Sequence, residues 1–264
     1  MPVYQLDRRE IKADARALIR SGSVSPVKFT ALFFAVSLVL DVIDSGASYM
    51  IADAGGFTEF SFSFLSILIW LLRLILIAGC CCYCLGVCRR EQTPYESLFD
   101  GFSFAGKVIL LNLVKAVFVT LWSMLFVIPG IIASYRYSFA LWNLCQDPTL
   151  GVMEALALSK RQTCGYKGQL FLLQLSFFGW LLLAVLAVGG VEYAVWGGPM
   201  LVNLETAPSL FDALWGTVAG NGFTMLVSLY LTPYIQLSTC GFYLRATALP
   251  EEPRLPECDR SSEG

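Results

Sequence analysis

The sequence predicts an all-α fold, a polytopic helical membrane bundle of about six spans. Three observations carry that expectation. Hydrophobic residues make up 56% of the 264-residue chain and charged residues only 14%, against about 45–50% and about a quarter in soluble domains. Apolar runs of about 20 residues, enough to cross a hydrocarbon core of about 30 Å, recur along the chain. Lys and Arg collect in alternate connections between those runs, as their retention in the cytosol requires.

Residues 1–28 read as a cytosolic amphipathic, basic segment. They lack the short apolar core and small-residue cleavage site of a signal peptide. Residues 7–21 predict a helix: Asp7 and Glu10 stand as N-cap and N3, Leu6 and Ile11 staple the first turn, and Gly22 ends it. Arg8, Lys12, Arg16 and Arg20 recur every four residues beside an apolar stripe of Ile11, Ala15, Leu18 and Ile19. This pattern suits a helix lying among lipid headgroups in preference to a merely solvated one, and makes the four basic residues candidate lipid-surface contacts.

A single transmembrane domain follows over residues 29–245, with spans expected at about 29–51, 61–88, 108–128, 131–145, 170–196 and 220–244. Pro129 and Gly130 are the candidate break between the third and fourth, placed as the tip of a hairpin. The fourth run rises only about 22 Å, so it is short or re-entrant, and either version returns the chain to the cytosol. Pro233 is expected to kink or break the sixth. Residues 148–161 suggest an amphipathic helix on the bilayer surface and Ser209–Trp215 a short one in an outer loop. Residues 246–264 suggest a disordered cytosolic tail.

The charges support this topology. Of 18 basic residues, 15 fall before span one, between two and three, between four and five, or after six, and none lies in the outer loops 52–60 and 197–219. Multi-pass insertion in the plasma membrane with both termini cytosolic is the expected arrangement.

Several activities are disfavoured by composition. The chain has no histidine, which removes Ser-His-Asp hydrolysis and His-ligated metal or haem. Net charge is −2, so nothing holds a nucleic-acid backbone. Neither standard phosphate-binding glycine loop occurs. No enzyme activity, cofactor or metal is therefore expected. Cys80, Cys81, Cys82, Cys84 and Cys88 invite a soft-metal reading, but their helical spacing suits packing better than paired ligands. Disulfides are not expected, because no cysteine lies in an outer loop.

Charged groups within spans are expensive and must be paired or face a cavity. Asp41 and Asp44 share a face of span one, and Asp41 and Arg73 stand about 18 and 22 Å from the inner ends of adjacent antiparallel spans. One Arg against two carboxylates supports two readings: a proton or ion relay, or a packing clamp, which is preferred. Arg136, flanked by Tyr135 and Tyr137, either lines a polar cavity behind the hairpin tip or clamps the hairpin. Asp41, Asp44, Arg73 and Arg136 form the candidate intramembrane polar site.

Leu121–Tyr137 reads LWSMLFVIPGIIASYRY, Leu158–Trp180 reads LSKRQTCGYKGQLFLLQLSFFGW, and PYIQ at 233–236 and FY at 242–243 follow. In this order the blocks resemble bacterial integral membrane proteins catalogued as domain of unknown function 975, over most of the chain. The cysteine-rich second span and the Pro- and Glu-containing tail depart from that pattern. The resemblance implies a multi-span protein of the bacterial cytoplasmic membrane and carries over no catalytic or binding residue. The expected function is a non-enzymatic membrane scaffold that binds lipid or partner proteins. The alternative is a transporter or transport accessory using the Asp/Arg site. The expected partners are the lipid bilayer and other membrane proteins or copies of the chain.

Overall fold

The computed structural model describes residues 7–21, 25–51, 57–91, 93–196 and 210–248. The centres of both expected outer loops and the tail beyond 248 lie outside the described residues. Nine α-helices and one 3₁₀ helix account for the described elements: α1 (Arg8–Ser21), α2 (Pro26–Ile51), α3 (Phe57–Cys88), the 3₁₀ helix Tyr95–Phe104, α4 (Ala105–Leu125), α5 (Val127–Arg136), α6 (Ala140–Gln146), α7 (Val152–Gln162), α8 (Lys167–Trp196) and α9 (Leu210–Ala248). No strand occurs among them. Three stretches, Pro26–Tyr49, Phe64–Cys88 and Tyr95–Leu125, are long and apolar enough to cross a membrane.

Packing is uneven along the long helices. One end holds a dense core: Ile11 and Ala15 of α1, Phe29 of α2, Cys80, Tyr83 and Cys84 of α3, Phe139, Trp142, Leu170 and Leu173, and Phe242 and Tyr243 of α9. Phe29 stacks on Tyr83, and the Tyr243 hydroxyl lies 2.8 Å from both Asn143 Oδ1 and Gln146 Oε1. Elsewhere large apolar side chains stand exposed: Val39, Ile43, Phe64, Trp70, Leu121, Met124, Trp180 and Leu183. Water does not tolerate so continuous a surface on a stable monomer, whereas acyl chains would cover it.

The helix α1 forms where its pattern predicts, but its apolar stripe does not meet lipid. Ile11, Ala15 and Ile19 are buried in the core beside α9, and Glu10 and Asp14 both pair with Arg245 near the end of α9. Arg8, Arg16 and Arg20 are left exposed. Lys12 turns inward instead, onto Ser176 and over the Phe177 ring.

The turn between the third and fourth runs is displaced from Pro129 and Gly130. It falls at the single extended residue Phe126, φ −160° and ψ 151°, which ends α4 and starts α5. Pro129 then occupies the first turn of α5, where its missing N–H costs nothing. Continuing α4 would have driven its ring against the Leu125 carbonyl. Gly130 lets α5 lie against α4, since a Cβ there would sit 2.0 Å from Ser123 Oγ. Nor is residues 131–145 one helix: α5 has 10 residues and α6 has 7, separated by Tyr137–Phe139. A 10-residue helix rises about 15 Å, half the hydrocarbon thickness.

Ser159 of α7 fixes that separation. Its hydroxyl donates to the Arg136 carbonyl at 2.9 Å and accepts the Phe139 N–H at 3.2 Å, joining the end of α5 to the start of α6. Ser159 is fully buried. Ser159→Ala therefore leaves a buried donor unmet and should cost about 1–3 kcal/mol, read as a lower melting temperature in detergent. An unchanged melting temperature would refute this role.

Two further expectations change. Residues 152–162 form α7, but Val152, Ala155, Leu156 and Ser159 pack into the protein rather than onto a bilayer surface, while Met153 is exposed. Lys107 Nζ holds the preceding turn through the carbonyls of Pro148, Thr149 and Leu150 at 2.6, 3.2 and 3.1 Å. At the other end of the chain, Pro233 does not break its helix. α9 runs unbroken for 39 residues and absorbs the short helix expected over Ser209–Trp215, of which Ser209 lies outside the described residues. Pro233 is buried, and such tertiary packing lets a helix carry one unpaired carbonyl.

Candidate functional site

Three of the charges within the predicted spans, Asp41, Asp44 and Arg73, meet where α2 and α3 run antiparallel. Asp41 and Asp44, three residues apart, lie on one face of α2, and Ser66 and Arg73, seven apart, on one face of α3. Arg73 Nη2 donates to Asp41 Oδ1 in an ion pair. The Ser66 hydroxyl donates to Asp44 Oδ1 at 2.8 Å. Side-chain exposure is 35% for Arg73 and 20% for Asp41 without surrounding lipid. Both carboxylates therefore have a donor. Ser66 is the site residue that sequence reasoning missed; its only signal is its position two helical turns before Arg73.

Arg136 lies apart from this group, at the junction of α5, α7 and α8. Of its neighbouring tyrosines, Tyr135 packs edge-on against Phe171 and Tyr137 stacks on Phe118. Arg136 Nε is buried with no hydrogen-bond partner among the described residues. Burial, then Arg136 and Lys160, holds Lys167 below the ordinary lysine range, so this corner is cationic. The structure thus brings together Asp41, Asp44 and Arg73, but not Arg136.

The cysteines of α3 face protein rather than lipid. Cys84 Sγ lies 3.6 Å from Gln236 Oε1, and Cys240 Sγ 3.5 Å from the Cys84 carbonyl, so the thiols fill the seam between α3 and α9. Among the described residues no group of three or more Cys, Asp or Glu converges as metal ligands.

A cavity of about 620 Å³ opens between the first turns of α1 and the start of α8, lined by Asp7, Arg8, Arg9, Lys12, Gln169, Leu172 and Ser176. A second, of about 500 Å³ and almost wholly apolar, lies between α2 and α9 around Phe34, Leu38, Gly222 and Leu226.

Together these features define a protein that is helical over its described residues, with three helices among them long and apolar enough to cross a membrane. Residues 123–249, just under half of the chain, match the family model described as Protein of unknown function (DUF975), and it is to this family that the segment is similar. The match starts at Ser123, so Arg136 lies within it and the Asp41–Arg73 pair and α1 lie outside. No curated protein and no solved structure matches the chain.

Proposed function

We propose that the protein is a non-enzymatic scaffold of the bacterial cytoplasmic membrane, holding lipid or partner proteins on an apolar frame. In this reading α2, α3, α8 and α9 cross the bilayer. The α4–α5 hairpin enters from the cytosolic side and returns there, with both chain termini cytosolic. Support for the hairpin comes from its tip, where Leu121, Met124, Leu125, Phe126 and Ile128 are all exposed. The basic residues of α1, the α3–α4 connection and the α7–α8 turn then share one side, as cytosolic retention favours.

The observation that favours a structural over a transport role is that each carboxylate of α2 is tied to a side chain of α3. Asp41 is paired with Arg73 and Asp44 accepts from Ser66, so both carboxylates are tied across the α2–α3 seam. A clamp of this kind joins α2 to α3 at a depth where an unpaired charge would be costly. The test is flux. Proteoliposomes of the wild type, under a proton or potassium gradient and read with a pH- or potential-sensitive dye, should leak no faster than empty liposomes, and Asp41→Asn and Asp44→Asn should not change that. Flux above background that either substitution abolishes would overturn the scaffold reading in favour of transport.

A further inference from the structure

The cavity between α1 and α8 joins two chemistries. Arg8, Arg9 and Lys12 form its charged wall within the first turns of α1. Arg8 and Arg9 are exposed and absent from the ion pairs of the described residues, whereas Glu10 and Asp14 on the same helix are both drawn to Arg245. Asp7 also lines the cavity, but its carboxylate accepts the Arg9 backbone N–H at 2.8 Å and so serves the helix start. Lys12 Nζ donates to Ser176 Oγ at 2.6 Å and sits 4.5 Å from the Phe177 ring centroid. Burial, with Arg8 and Arg16 nearby, lowers its affinity for its proton. This cationic pocket has no neutralising carboxylate on its α8 side, where the lining residues are Gln169, Leu172 and Ser176.

The α8 wall continues as an apolar track. Leu172, Ser176, Trp180 and Leu183 follow at spacings of four, four and three, which puts them on one helix face. Leu172, Trp180 and Leu183 are all exposed. A site that is cationic at one end and continues as an exposed apolar stripe along a membrane-directed helix fits a molecule with an anionic head and a long apolar chain. The volume is in the range of small-ligand sites and exceeds what a bare phosphate fills.

We propose that this cavity binds one anionic phospholipid, its headgroup phosphate held by Arg8, Arg9 and Lys12 and an acyl chain lying along Leu172, Trp180 and Leu183. The site rests on the scaffold reading above and names its lipid. It differs from a diffuse basic surface in having a cavity, a stoichiometry and a chain track. α1 is then a headgroup clamp fixed to the protein by its buried face, rather than an anchor floating on the bilayer.

The test measures binding of phosphatidylglycerol, phosphatidylcholine and glycerol 1-phosphate to the full chain in detergent by native mass spectrometry. It compares wild type with Arg8→Gln/Arg9→Gln and with Arg89→Gln/Arg90→Gln, which removes equal charge at the end of α3. Wild type should retain one phosphatidylglycerol in preference to phosphatidylcholine. The Arg8/Arg9 variant should bind it about thirtyfold more weakly at an unchanged melting temperature, from about a fivefold effect per basic residue. The Arg89/Arg90 variant should bind as wild type does. Equal weakening in both variants would reduce the effect to general charge, unchanged binding in the Arg8/Arg9 variant would place the lipid elsewhere, and glycerol 1-phosphate binding as tightly as the lipid would make this a small-anion site. Each of these overturns the proposal. None touches Asp41, Asp44 or Arg73, so the scaffold reading stands or falls separately on flux.

Discussion

Gly79→Ala should be among the most damaging substitutions in the protein, with Gly101→Ala close behind. The 3₁₀ helix lies directly on α3, backbone against backbone. A Cβ at Gly79 would sit 1.9 Å from the Leu98 carbonyl oxygen, and one at Gly101 would sit 2.3 Å from that of Ile75. Both obstacles are main chain, so no rotamer change relieves them and the two helices must separate. That separation unpacks Leu98 and Phe104, which are buried at this seam. Overpacking of side chains costs about 1–3 kcal/mol, and a clash with backbone should exceed that, at more than about 3 kcal/mol or failure to fold. Gly106→Ala is the control: nothing lies within 4 Å of a Cβ there, and a helical Gly replaced by Ala gains about 0.5–1 kcal/mol. Melting temperatures in detergent should separate the three variants by sign. Wild-type-like stability of Gly79→Ala would mean the 3₁₀ helix is not seated on α3.

The second large effect is at Arg73. Arg73→Gln strands the Asp41 carboxylate within the predicted span, and a charge at a helix centre costs about 2.5–3.5 kcal/mol on insertion scales. A loss of that order is expected, with Asp41→Asn similar because it strands the guanidinium. Asp44→Asn should be milder, about 1 kcal/mol or less. Its partner is the Ser66 hydroxyl, which donates to an amide oxygen nearly as well as to a carboxylate.

Much of this arrangement was legible in the residues because physics makes it obligatory. An ionised group inside a span must find a partner, and counting helical rise puts Asp41 and Arg73 at similar depth on neighbouring helices. Ser66 was not legible, since a hydroxyl carries little insertion cost and leaves no mark on hydropathy. The stripe of Ile11, Ala15 and Ile19 announced that something apolar covers it. Whether lipid or α9 does so depends on tertiary packing that a period of 3.6 residues does not encode.

The same distinction separates the two prolines. Pro129 and Pro233 would carry the same penalty inside a continuous helix, but Pro129 stands in the first turn of α5 and Pro233 deep within α9. The chain escapes it at Phe126 by turning, and tolerates it in α9 because neighbouring helices hold both halves. The 3₁₀ helix went unseen because YESLFDGFSF lacks a strong helical or strand period, and its seating depends on Gly79 and Gly101, 22 positions apart in the sequence. Each glycine alone reads as a turn or a gap, and only the fold shows them to be two sides of one contact.

The claim that the intramembrane charges are a clamp is tested most directly by a double-mutant cycle on Asp41→Asn and Arg73→Gln, read as melting temperature in detergent. The account predicts that each single change lowers stability markedly and that the double variant recovers part of the loss, a coupling of about 0.5–3 kcal/mol. Additive losses, or single variants as stable as the wild type, would contradict it and leave the charges to be explained by something that moves through them.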